Sequence, residues 1–163
     1  MIIGYPTALD SELDIINHLL QNQNNTIDNI IIDLSKDVNI DKDVTVIKVD
    51  NVRKILSKVS MRFFRYPQSK LKTIAITGTK GKTTVSFMIK KIIQEAGYKC
   101  GVIGTMGICI GDKVYPNKNT TPESYDTLKY MDEMVKNKID YMVMEVSSQA
   151  LKYDRVNDII FNR

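Results

Sequence analysis

The sequence has no tryptophan, one histidine and two cysteines among its 163 residues. A lone His18 without a cysteine cluster supplies too few ligands for a zinc site, and it reads as an ordinary core or surface imidazole. Cys100 and Cys109 form no CxxC pair. Both lie in apolar surroundings, which suits small core residues in a reducing compartment rather than a disulfide framework. Only 4 prolines and 8 glycines are present, so collagen-like and low-complexity classes are excluded. No apolar run reaches the ~18 residues of a membrane span. The start, Met1 to Pro6, lacks the basic segment and apolar stretch of a signal peptide. The expectation is a cytoplasmic protein with no membrane partner. Charge of one sign is not concentrated either: 23 basic against 19 acidic residues leave a net charge of +4. The basic residues are spread out and the tyrosines do not interleave with them, so no nucleic-acid partner is expected.

What is present is an alternation of strand and helix signals. Asp10 or Ser11 can cap a helix running to about Gln21, followed by a polar break at Asn22 to Asn25. Ile30 to Ile32 and Val44 to Val49 read as short strands rich in β-branched residues. Asp50 or Asn51 can cap a helix carrying Val52, Ile55, Leu56, Val59 and Phe63 at helical spacing, which Tyr66-Pro67 ends. Gln68 to Leu71 reads as a linker. Thr73 to Thr77 is a strand. Thr83 to Ala96 is a helix with Val85, Met88, Ile89, Ile92, Ile93 and Ala96 in one stripe, closed by Gly97. Lys99 to Gly104 is a strand, and Ile108 to Tyr115 a hairpin turning at Gly111-Asp112. Thr121 caps and Pro122 opens a helix to about Lys136. Tyr141 to Val146 is a strand, and Ile159 begins one more. Met131, Met134, Met142 and Met144 are expected in the core. The fold class is α/β: a parallel phosphate-loop sheet with helices on both faces, incomplete, preceded by a small α/β N-terminal domain. The expected domains are residues 1–66 and 67–163.

Thr77-Gly78-Thr79-Lys80-Gly81-Lys82-Thr83-Thr84 follows a strand and opens a helix, the context of a phosphate loop. Glycines let backbone N–H groups approach phosphate oxygens, and the helix start adds unpaired donors and a favourable dipole. Lys82 can bridge the terminal phosphates, and Thr83 can place its hydroxyl on Mg2+. The longer GxxxxGK[ST] pattern asks for glycine where Ile76 stands, so the match is the GxxGKT form. Lys80 fits a phosphate contact and a solvated side chain equally well.

Further along, Glu145 ends an apolar strand. An acid at the carboxyl end of a parallel strand, beside a phosphate loop, can hold Mg2+ directly or through water. Ser147 and Ser148 suit helix caps or polar ligand contacts. Asn119, Thr120 and Thr121 lie in a loop entering a helix, where their amide and hydroxyls could line a polar substrate. Arg155 could pair with a carboxylate or phosphate.

These motifs occur in an order that resembles the Mur ligases of peptidoglycan synthesis. The likeness is carried by Thr77 to Thr84, Gly104-Thr105-Met106-Gly107, Asn119-Thr120-Thr121-Pro122-Glu123 and Met144-Glu145-Val146-Ser147-Ser148. It is supported by Val49 to Arg53 and Tyr66-Pro67, and covers about residues 44–163. It is strongest toward the branch that adds the third amino acid to the peptide. The resemblance implies an ATP-dependent amide ligase. ATP phosphorylates the D-glutamate carboxylate of UDP-MurNAc-L-Ala-D-Glu, and an amino acid's amine displaces phosphate from the acyl phosphate. Gly78, Thr79, Lys80, Gly81, Lys82, Thr83 and Thr84 would bind ATP, with Lys82 and Glu145 catalytic. Thr83 and Glu145 would serve Mg2+. Asn119, Thr120, Thr121, Ser147 and Arg155 would contact the UDP-muramoyl-dipeptide. Three features depart from the family pattern: Gln149 stands where histidine is common, Tyr153 replaces a glutamine, and the N-terminal UDP-binding signature is not recognisable. The family has further ATPase residues and an amino-acid-binding domain beyond the position of Arg163. The expectation is therefore a truncated ligase with little activity alone, prone to self-association or needing a complementing partner chain. The alternatives are a non-catalytic Mg·ATP-binding module and a folylpolyglutamate-synthetase-like ligase.

Overall fold

The computed structural model describes residues 2–3, 29–33 and 45–162. The helix expected up to Gln21, with His18, and the polar break after it lie outside the described residues. The chain divides into two units, Met1–Leu56 and Ser57–Arg163, with the division falling inside a helix. In the first unit, β1 (Ile2–Ile3), β2 (Asn29–Asp33) and β3 (Thr45–Val49) form a parallel sheet in that order. Helix α1 (Val52–Phe63) follows. Its cap is Asn51, whose Oδ1 accepts from Lys54 N at 3.0 Å.

In the second unit α1 stops at Phe63, three residues earlier than the proline implies. Arg65 and Tyr66 then take left-handed conformations, with φ of 56° and 54°. The stretch expected to be a linker is instead a single 3-10 turn, Pro67–Lys70, ending on buried Leu71. The apolar side chain needs covering, and a turn delivers it to the core where an extended linker would leave it wet.

The main sheet contains β4 (Lys72–Ile76), β5 (Cys100–Gly104), β6 (Gly107–Ile110), β7 (Lys113–Tyr115) and β8 (Tyr141–Glu145), in the order β4-β8-β5-β6-β7. β4, β8 and β5 are parallel, while β6 and β7 are antiparallel. The expected parallel sheet is thus extended by the hairpin. Period-2 alternation sorts the apolar runs onto two faces. Ile103, Ile108, Ile110, Met142 and Met144 pack with Leu128, Met131 and Met134 of α3 (Ser124–Lys136). Val102, Cys109, Val143 and Cys100 pack with Phe87, Ile89 and Ile93 of α2 (Lys82–Glu95) on the other face. Met131, Met134, Met142 and Met144 are fully buried, as their positions in the pattern required. Both cysteines are buried, and burial pushes the Cys100 thiol up to about 11.

Three further expectations need correcting. Only part of the α2 stripe faces the sheet: Val85, Met88 and Ile92 are 42%, 59% and 67% exposed. Phe87, outside the expected stripe, takes a core-facing place instead. Helix α3 begins at Ser124 with Glu123 at the cap, so Thr121 does not cap it and Pro122 is not its first residue. No strand forms at 159–161. There, Asn162 N donates to Thr73 O at 2.8 Å, but Thr73 N donates to the Asn162 side-chain carbonyl. The side chain takes a donor that a ladder would pair with backbone. Gly97, at φ 86°, closes α2 as expected.

Candidate active site

The parallel register places Ile76 beside Glu145 and Ile103 beside Met144. The carboxyl ends of β4, β8 and β5 therefore align, and the loops that follow them converge at one edge of the sheet. The first is the phosphate loop. Gly78 at φ 142° and Gly81 at φ 80° occupy backbone conformations that side chains rarely adopt. These turns bring the chain from β4 into α2 within five residues and leave Thr79 and Lys80 exposed. Lys82 Nζ donates to Gly78 O at 2.7 Å, so its ammonium folds back over the loop. Thr83 and Thr84 follow in the first turn of α2.

Glu145, at the end of β8, is 1% exposed. A carboxylate this buried needs donors, and three reach it. Thr83 Oγ1 donates to Oε2 at 3.0 Å, Thr105 Oγ1 donates to the same oxygen at 3.0 Å, and Thr105 N donates to Oε1 at 3.2 Å. The carboxylate also fills the space beside Gly104, where an added Cβ would overlap it. The structure thus brings Thr83 and Glu145 together directly. Two hard oxygens, a hydroxyl and a carboxylate, suit Mg2+. No three His, Cys, Asp or Glu converge among the described residues. A hydroxyl and one carboxylate are fewer oxygens than a closed Mg2+ cage needs; phosphate oxygens and water would have to supply the rest.

The other sequence-derived candidates fall on the same edge in different states. Thr120 Oγ1 lies 3.0 Å from Thr105 Oγ1. Asn119 is exposed in the loop ahead of α3, and its N–H faces Asn117 Oδ1 at 3.5 Å. Thr121 is 1% exposed: its hydroxyl donates to Glu145 O at 2.8 Å and accepts from Ser147 N at 3.0 Å. Ser147 caps α4 (Ser148–Lys152), accepting from Ala150 N at 3.1 Å. Arg155 Nε pairs with Glu123 Oε1 at 2.8 Å, and its Nη1 donates to Thr121 O at 3.4 Å. Thr121, Ser147, Glu123 and Arg155 thereby form a braced wall behind the loop.

Thr121→Val removes the acceptor for Ser147 N–H and the donor to Glu145 O in one step. The expected cost is about 1–3 kcal/mol, seen as a lower denaturant midpoint, and Thr121→Ser should recover most of it. An unchanged midpoint in Thr121→Val refutes the bracing role.

Sequence reasoning gave no role to three residues that the structure places here. Thr105 holds Glu145, Asn117 Nδ2 donates to Gly104 O at 3.2 Å, and Glu123 pairs with Arg155. A hydroxyl residue directly after a strand ending in glycine, at the carboxyl edge, was the available signal for Thr105.

Residues 76–162, more than half of the chain, match the Mur ligase middle domain. The UDP-N-acetylmuramoyl-L-alanyl-D-glutamate–2,6-diaminopimelate ligase of Clostridium tetani is 49% identical over 124 residues, which cover 76% of this chain and 26% of that protein. The Clostridium perfringens ligase of the same name is 46% identical over 128 residues, 78% of this chain and 26% of that protein. A solved structure of a ligase bearing this name superposes with a TM-score of 0.64 at 26% identity, covering 78% of this chain and 25% of that one. The chain spans about a quarter of the length of the relatives it matches. On the matched middle domain, the chain belongs to the Mur ligase family.

Proposed function

We propose that this chain binds Mg·ATP at the carboxyl edge of its main sheet and contributes the phosphoryl-transfer half of a peptidoglycan-precursor ligase. The observation that carries the reading is the 3.0 Å contact between Thr83 Oγ1 and Glu145 Oε2, which joins the phosphate loop to a buried acid. Backbone N–H groups from Gly78 to Thr84 would cradle the phosphates, with Lys82 released from Gly78 O to neutralise the terminal ones. Thr83 and Glu145 would hold Mg2+, which when bound screens charge on the phosphates. Asn119 and Thr120, in the loop ahead of α3, would receive the acceptor, UDP-MurNAc-L-Ala-D-Glu. Its glutamate carboxylate would attack the terminal phosphorus to give an acyl phosphate and ADP. An amino acid's amine would then displace inorganic phosphate. Catalysis here is positioning and charge stabilisation by preorganised groups.

Titration calorimetry of the folded chain with Mg·ATP should give saturable heat that weakens when the metal is chelated. Absence of heat at millimolar Mg·ATP would defeat this reading. A second reading is Mg·ATP binding without turnover by this segment alone. It is favoured because the matched region corresponds to a middle domain rather than to a whole relative. Incubation with ATP, UDP-MurNAc-dipeptide and diaminopimelate or lysine separates the two: tripeptide product supports the ligase, and saturable binding without product supports the module.

A further inference from the structure

We infer that Thr105 is a positioning residue that aims the Glu145 carboxylate at the metal and ties it to the acceptor loop. The inference rests on the Mg·ATP reading above. Thr105 contacts both carboxylate oxygens, through its N–H to Oε1 at 3.2 Å and its hydroxyl to Oε2 at 3.0 Å, whereas Thr83 reaches Oε2 alone. Two bonds to two oxygens from one rigid residue set the plane of the carboxylate, whereas one bond leaves it free to rotate. The backbone donor is fixed because β5 ends at Gly104, where the carboxylate lies against a residue with no side chain. Rotation of Glu145 away from Thr83 is resisted from that side as well.

Proton bookkeeping gives the second part. The Thr105 hydroxyl has one proton, and the carboxylate can only accept, so that proton goes to Glu145. The contact between Thr105 Oγ1 and Thr120 Oγ1 at 3.0 Å must then carry the Thr120 proton toward Thr105. The result is a directed chain, Thr120 to Thr105 to Glu145, with Thr83 donating to Glu145 from the other side. Thr83 can still offer an oxygen lone pair to a cation while its O–H donates to Glu145. Any shift of Thr120 on acceptor binding is felt at the metal carboxylate through one intervening hydroxyl.

The test compares Thr105→Val and Thr105→Ser with the parent chain. Valine keeps the backbone donor and the shape but removes the hydroxyl; serine restores it. ATP affinity is measured by calorimetry with Mg2+ and with the metal chelated, alongside thermal unfolding. In the parent, Mg2+ should tighten ATP binding. In Thr105→Val that gain should shrink about tenfold, as expected for one charge-assisted bond, while metal-free ATP affinity stays within twofold. Thr105→Ser should return the gain to near the parent value. A merely structural role would lower both affinities together, or lower the melting temperature without changing their ratio, and either result overturns the inference. An unchanged Mg2+ gain in Thr105→Val does so too. If the parent itself shows no Mg2+-dependent binding, the functional reading falls and this inference with it, so the two failures appear in different proteins.

Discussion

Lys82→Ala is expected to weaken ATP binding about 100-fold or more, with the fold intact. Lys82 Nζ donates to Gly78 O at 2.7 Å. The residue is half-buried at the first turn of α2, where its loss leaves no hole in the core. Its ammonium sits over the loop that would hold phosphates, so two charge-assisted bonds to a bound nucleotide are lost in the variant. At about 1.5–3 kcal/mol each, these correspond to two or more decades in affinity. Lys82→Arg should recover little, because a planar guanidinium does not reproduce the compact charge of the ammonium. Calorimetry with Mg·ATP, paired with circular dichroism to show the fold, checks this. Affinity within threefold of the parent would mean that nucleotide is not gripped at this loop.

Gly104→Ala should damage stability and metal response together. The backbone there is not left-handed, so alanine is acceptable by φ alone; the obstacle is space. A Cβ at this position overlaps the Glu145 carboxylate. That carboxylate is 1% exposed and held by Thr83 and Thr105. Moving it breaks those bonds in a packed interior; leaving it strains β5 against β8. Overpacking of this kind costs about 1–3 kcal/mol. A fall in Tm on the order of 5–10 °C is expected, with the Mg2+-dependent part of ATP binding lost and the metal-free part retained. Calorimetry and thermal unfolding of one preparation decide it. A parent-like Tm with a full Mg2+ response would show that Glu145 is not lodged against Gly104. The contrast with Lys82→Ala is diagnostic: one variant loses the nucleotide without loss of fold, the other loses the metal effect with loss of stability.

Local patterns were legible in the sequence wherever the physics is local. The glycine and lysine spacing from Gly78 to Lys82 specifies a tight turn into a helix by itself, and the structure has that turn. The β-branched runs and the period-3.6 stripes located the described strands and helices to within a few residues. Gly97 closed α2 because a left-handed residue is needed there whatever lies nearby. Errors arose where a residue had two possible partners. Thr121-Pro122 has the local form of a helix start, yet the Thr121 hydroxyl is engaged by Glu145 O and Ser147 N from another loop. Nothing within several residues of Thr121 announces that competition.

Sequence alone therefore determined the alternation of elements, the phosphate loop and the acid at the end of β8, since spacing, propensity and turn chemistry act over a few residues. The tertiary structure decided what those groups touch. Thr105 and Glu145 are 40 positions apart, and Thr83 and Glu145 are 62 apart. They meet because β8 inserts between β4 and β5 in parallel register. A sequence lists donors and acceptors; only strand order and register select which pairs share the water-excluded space where a hydrogen bond has to be made.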